Sequence, residues 1–116
     1  MRIDSYRFGH IVIGGRSYSS DLKIIKGKII ENWWRDTGHL LQLKDIQDVV
    51  EAEPGILIIG TGASGLLRLA DGLISNLENR GMTVYVQASA SAVEKFNQLV
   101  SRKGEDELAL AIHLTC

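Results

Sequence analysis

A single cysteine, Cys116, leaves no partner for an internal disulfide. That usage suits a reducing compartment, so a cytoplasmic location is the expectation. Only one proline interrupts the 116 residues, and hydrophobic content is 45%, which favours a folded chain over a disordered one. Charge of one sign is not in excess: 13 Lys and Arg face 14 Asp and Glu, for a formal net charge of −1. Without a basic footprint, no nucleic-acid partner is expected. No apolar run approaches the ~20 residues that a bilayer span needs. Arg2, Asp4 and Arg7 break up any hydrophobic signal core, so no membrane partner is expected either. There is no internal repeat, no low-complexity segment and no long linker, and one domain over residues 1–116 is expected.

What stands out instead is the stretch from Gly55 to Gly65. Ile56, Leu57, Ile58 and Ile59 are four aliphatic residues in a row. A strand with one wet face would alternate, so this run predicts a central strand covered on both faces, as in parallel sheets flanked by helices. Gly60, Gly62 and Gly65 then open the backbone where the strand ends, which is where ligands sit in open α/β sheets.

Residues 1–34 read as a meander of short β-strands. Ile3 to Phe8, His10 to Ile13, Arg16 to Ser19, Leu22 to Ile25 and Lys28 to Trp33 are β-type runs, with turn signals at Gly14-Gly15 and Lys26-Gly27. Lys44 to Glu53 predicts a short helix whose buried stripe is Ile46, Val49 and Val50. Pro54 and Gly55 stop it. A second helix is predicted over Asp71 to Arg80, capped by Asp71, with Leu73, Ile74 and Leu77 inward. Met82 to Gln87 is a strand. A third helix is predicted from Ser91, which has capping-box spacing to Glu94, or from Ser89, as far as Lys103. Val93, Phe96, Leu99 and Val100 form its stripe, and Leu108 to Leu114 is the last strand.

Residues 55–116 are therefore β-α-β-α-β. Helical crossovers return strands parallel and right-handed, so the three strand ends are expected to share one edge; the alternative is an antiparallel last strand, which would carry His113 and Cys116 to the opposite edge. The core is expected to include Ile56, Ile58, Leu73, Leu77, Val84, Val86, Phe96, Val100, Leu110 and Ile112. The shared edge collects Gly60, Thr61, Gly62, Gln87, His113 and Cys116. The fold class is a three-layer α/β arrangement, with a mixed, mostly parallel central sheet flanked by helices and a smaller N-terminal β layer.

Gly60-x-Gly62-x-x-Gly65 matches the dinucleotide fingerprint. Three readings compete: a dinucleotide, a small anion on free backbone N–H groups, and a close turn against Trp34 or the last strand. Leu66 to Ala70 separate the glycines from the next cap, and neutral Gln87 stands where an acidic ribose ligand is expected. The close turn is favoured, and no cofactor is expected. Trp33 and Trp34 alternate faces, one in the core and one exposed or over a cleft, and Arg35 offers its fork to an anion. Within one strand, His113 and Cys116 would stand about 10 Å apart on opposite faces; a bend at Thr115 would bring them together. His10, His39 and His113 are scattered in sequence, and no metal site is expected. The candidate pocket is Trp34, Arg35, Gly60, Thr61, Gly62, Gln87, His113 and Cys116.

These residues also carry a family resemblance. Ser17-Tyr18, Asp21-Leu22-Lys23, Trp34-Arg35 with Thr37-Gly38, Ile58-Ile59-Gly60-Thr61-Gly62, Ala92-Val93 with Phe96-Asn97, and His113-Leu114-Thr115-Cys116 stand in order along the chain. In this the chain resembles the small domain proteins that include the adipogenesis-associated domain protein of animals and a mitochondrial assembly factor of respiratory complex I. It is most similar to their short archaeal and bacterial members. The resemblance implies a three-layer α/β fold and no established enzymatic activity. A non-catalytic binding or assembly module is the leading expectation, with a protein partner or a small anionic ligand, as monomer or homodimer. The alternative is a small enzyme or ligand-binding protein acting on an anionic or polar molecule at the Gly60-Thr61-Gly62 edge.

Overall fold

The computed structural model describes residues 1–116. Three short strands come first: β1 (Ile3–Arg7), β2 (His10–Ile13) and β3 (Arg16–Tyr18) form a small antiparallel sheet. β4 (Leu22–Ile25) and β5 (Lys28–Ile30) follow. Their hairpin turns at Lys26 and Gly27, both at positive φ (50° and 84°), the backbone that a tight two-residue turn requires. β6 (Leu40–Leu41) leads through a 3-10 turn at Leu43–Ile46 into α1 (Gln47–Ala52). Then come β7 (Ile56–Thr61), β8 (Arg68–Leu69), α2 (Leu73–Asn79), β9 (Thr83–Gln87), α3 (Ser89–Lys103) and β10 (Leu108–His113).

The central sheet has the order β5-β4-β10-β7-β9. β10 and β9 both run parallel to β7, and β4 lies antiparallel between β10 and β5. The mixed sheet, its helices and the smaller N-terminal sheet are as the sequence predicts. The N-terminal strands, however, do not form one layer. β4 is buried at all four residues and joins the interior of the central sheet, carrying β5 with it. β1 and β2 each have a wet side and stay in the small sheet. The two-residue strands β6 and β8 pair in parallel and were not foreseen; two residues carry no periodicity to read.

Alternation along β7 and β10 divides the interior in two. Ile56, Ile58, Leu110 and Ile112 pack with Phe96 and Val93 of α3 and with Ile3 and Ile11 of the small sheet. Leu57, Ile59, Ala109 and Ala111 pack on the other face with Ile46, Val49, Leu73, Leu77 and Trp33. Three layers result. Val84 and Val100 are only half-buried, and Val86 is exposed. β9 is the sheet edge, so Val86 lacks the second neighbouring strand that shields β7 and β10. No helix is long and apolar enough to cross a membrane.

Candidate functional site

The final strand decides what meets what. His113 is level with Thr61, and Gly60 with Gln87, so the parallel direction holds. His113 follows Ala109 and Ala111 on the α1–α2 face of the sheet. There it meets Asp21, which immediately precedes the neighbouring antiparallel strand β4.

Asp21 is the hub. Its Oδ1 accepts the Leu114 backbone N–H at 2.7 Å. Its Oδ2 accepts Arg35 Nη2 at 2.8 Å and His113 Nδ1 at 2.7 Å. Arg35 Nη2 and His113 Nδ1 stand 3.2 Å apart because two donors share one oxygen. The Asp21 carboxylate can only accept, so His113 Nδ1 carries a proton, and Nε2 faces the Thr115 hydroxyl at 3.5 Å. Arg35 lies over the Trp33 ring, 4.8 Å from its centroid, and its Nε donates to the Gly38 carbonyl at 2.9 Å. Trp33 is buried and Trp34 is 76% exposed, so the two tryptophans divide between core and surface as expected. They do so on irregular chain beyond β5 rather than on a strand.

These groups line a hollow of about 280 Å³ with Ser19, Ser20, Trp34, Gly38, His39 and Thr115. Cys116 adjoins it. The strand ends at His113, the chain bends through Leu114 and Thr115, and Cys116 Sγ comes within 3.8 Å of His39 Nε2. The His39 and His113 rings stand edge to face at 5.8 Å. The scatter of the histidines is thus in sequence only; His10 alone stays apart.

The glycine stretch builds the wall behind this hollow. A Cβ at Gly60 would meet Ile112 Cγ1 at 2.8 Å and Ser89 Oγ at 2.9 Å, so this glycine admits the start of α3. A Cβ at Gly62 would meet the Cys116 backbone at 2.5 Å and His113 Cδ2 at 2.9 Å, so this one admits the C-terminal segment. Ala63 N–H donates to the Thr115 carbonyl at 2.6 Å, and Leu66 N–H to the Cys116 carbonyl at 2.9 Å. The Gly62, Ala63, Gly65 and Leu66 N–H groups, which a phosphate cradle would need free, are already bonded within the fold. The first helix after the glycines starts only at Leu73, with Gly72 rather than Asp71 at its N-cap. The close-turn reading of the fingerprint is the one the geometry supports. Gln87 stands apart from the Arg35 hollow, lining another of about 450 Å³ with Ser91, Glu94, Lys95 and Gln98. Thr61 is buried and donates its hydroxyl to the Gln87 carbonyl at 3.1 Å.

Ser89 begins α3 but does not cap it. Its hydroxyl is buried, accepts the Gly62 N–H at 2.8 Å and donates to the His113 carbonyl. Ser89→Ala would leave both backbone groups unmade, and a loss of about 1–3 kcal/mol is expected in denaturant titration. Nearby, Tyr6 donates its hydroxyl to the Leu114 carbonyl at 2.9 Å. Burial, above all, lifts the Tyr6 phenol above the usual tyrosine range; a Ser89 contact opposes this and the Asp21 charge adds to it.

The structure brings the candidate residues Trp34, Arg35, His113 and Cys116 together at this corner, and with them Asp21 and His39, which the sequence reading does not nominate. The one local signal is Asp21 itself, an acidic residue directly before the β-type run Leu22-Lys23-Ile24-Ile25.

The fold defines a mixed three-layer α/β protein, with a polar hollow where β4, β10 and the C-terminal segment converge. Residues 3–113 match the family described as "Protein of unknown function (DUF498/DUF598)", and the chain belongs to that family. Among solved structures it is similar to a conserved hypothetical protein of Pyrococcus horikoshii OT3, at 24% identity and TM-score 0.83, with 100% of both chains covered. It is also similar to an outer membrane protein of Bartonella henselae, at 26% identity and TM-score 0.80, covering 98% of this chain and 94% of that one. An Mth938-like domain of Bordetella pertussis matches at 13% identity and TM-score 0.69, covering 97% and 85%.

Proposed function

We propose that the chain is a non-catalytic binding module and that the Arg35 hollow takes a small carboxylate or phosphate-type anion. One observation carries the reading. The Arg35 side chain is only 5% exposed, and its Nη1 has no hydrogen-bond partner. A buried donor left unmade costs about 1–3 kcal/mol, more when charged, and an anionic oxygen would recover that cost. Ser19, Ser20 and Thr115 supply further hydroxyl groups around the same space. Asp21 is engaged by three donors, which suits a residue that holds its neighbours in place.

The test is a thermal-shift and calorimetric series with inorganic phosphate, acetate and succinate. A ligand at a hundred times its dissociation constant should stabilise the fold by ~2.7 kcal/mol. Arg35→Gln should remove the response. Absence of any shift across the series at millimolar concentration would sink the proposal.

A second reading follows the resemblance to the complex I assembly factor: a protein partner docking over the exposed Trp34. Pull-down at native levels should then recover a stoichiometric partner, and Trp34→Ala should lose it. A cytoplasmic location fits either reading.

A further inference from the structure

We infer that His39, His113 and Cys116 form a site for a divalent ion of the zinc class. One ligand atom from each residue lies within 4.8 Å of the other two. Tetrahedral zinc, with Zn–S near 2.3 Å and Zn–N near 2.0–2.1 Å, needs an S–N separation of roughly 3.6 Å. Cys116 Sγ and His39 Nε2 are already 3.8 Å apart. The other two legs are at most 4.8 Å, and closing them to ligand spacing falls to the exposed His39 and half-buried Cys116 side chains, while buried His113 and the bonded Cys116 backbone stay where the fold fixes them.

The surroundings match those of a built metal site. His113 gives its Nδ1 proton to Asp21, the carboxylate–histidine arrangement that orients an imidazole and turns its other nitrogen into a ligand. Gly62 makes room for the Cys116 backbone, and the Leu66 N–H anchors its carbonyl, so the thiol is positioned by main chain from another element. The nearby Arg35 cation is matched by Asp21 in an ion pair at 2.8 Å, so it adds no unopposed charge against a cation. One thiolate and two imidazoles suit zinc or cobalt(II) better than the hard, oxygen-seeking calcium or magnesium. A fourth position remains for water or an added ligand.

The site does not rest on the anion reading, because Arg35 is no ligand to the metal. Its test therefore runs on the full chain, reduced, stripped with a chelator and kept in buffer free of phosphate and carboxylate. Cobalt(II) titration should give one equivalent per chain, with a thiolate-to-cobalt charge-transfer band in the near ultraviolet and the strong visible absorption of a tetrahedral ion. Zinc should displace it. Cys116→Ser should abolish the charge-transfer band, and His39→Ala, at an exposed position, should weaken binding tenfold or more. Absence of the band in the wild-type chain, or binding unchanged in both variants, overturns the site.

Discussion

Gly62→Ala is expected to cost about 3–5 kcal/mol, combining left-handed backbone strain with overpacking against groups that cannot yield. Gly62 has φ +104°, a conformation that L side chains rarely adopt. The new methyl group would also lie 2.5 Å from the Cys116 carbonyl carbon and 2.6 Å from its oxygen. Those are backbone atoms, held by the Leu66 N–H on one side and the Ala63–Thr115 bond on the other. No rotamer change relieves the clash, so the C-terminal segment must lift. Gly65→Ala is the control. Its φ is +70°, but a Cβ there meets only Thr61 Oγ1 at an ordinary 3.6 Å. It should cost only the left-handed penalty of roughly 1–2 kcal/mol. Denaturant midpoints of the two variants separate the terms. Equal costs would show that close approach contributes nothing at Gly62. If the segment does lift, Cys116 becomes more reactive to a thiol reagent in the Gly62 variant and not in the Gly65 variant.

This pair of glycines shows where sequence reading succeeds. Four aliphatic residues followed by glycines announce a buried strand and a sharp exit, because both are local consequences of composition. The fingerprint letters were present as well, yet they describe spacing, whereas a phosphate cradle needs free N–H groups at a helix start. Here the helix begins at Leu73 and the N–H groups bond to Thr115 and Cys116. The capping signal at Ser91 failed for a related reason. The α3 helix starts two residues earlier at Ser89, whose hydroxyl is spent on Gly62 and His113 instead of on its own helix.

The site was less legible than the sheet. Arg35, Trp34, His113 and Cys116 could be nominated by residue type and position, but Asp21 and His39 could not. Asp21 and His113 are 92 positions apart, and they meet because β4 inserts antiparallel beside β10. Nothing in residues 20–30 distinguishes a hairpin that joins the central sheet from one that stays in the N-terminal layer, except that all four positions of β4 bury. That includes Lys23, whose charge is met by Asp48 from α1 at 2.6 Å. A lysine in a strand reads as a wet face. The tertiary ion pair overrides that reading, and with it went the placement of the carboxylate on which the site turns.

Asp21→Ala is expected to cost about 3–5 kcal/mol, the range for removing one partner of a buried ion pair. The Asp21 side chain is 12% exposed, and three donors converge on it. Its loss leaves the Arg35 guanidinium over Trp33 without a counter-charge and strands the N–H groups of His113 and Leu114. Leu114 N–H lies on main chain and cannot turn away. Asp21→Asn keeps the shape and one acceptor oxygen, and should cost less, yet it removes the charge that opposes Arg35. The double variant Asp21→Ala with Arg35→Leu distinguishes the causes. If the uncompensated cation is the main loss, removing it should recover about half of the single-variant cost, since close pairs show coupling of roughly 0.5–3 kcal/mol. No recovery would place the cost in the His113 and Leu114 N–H groups instead. A single-variant cost below about 1 kcal/mol would mean that water already reaches Arg35. Its unpartnered Nη1 would then give no reason to expect an anion.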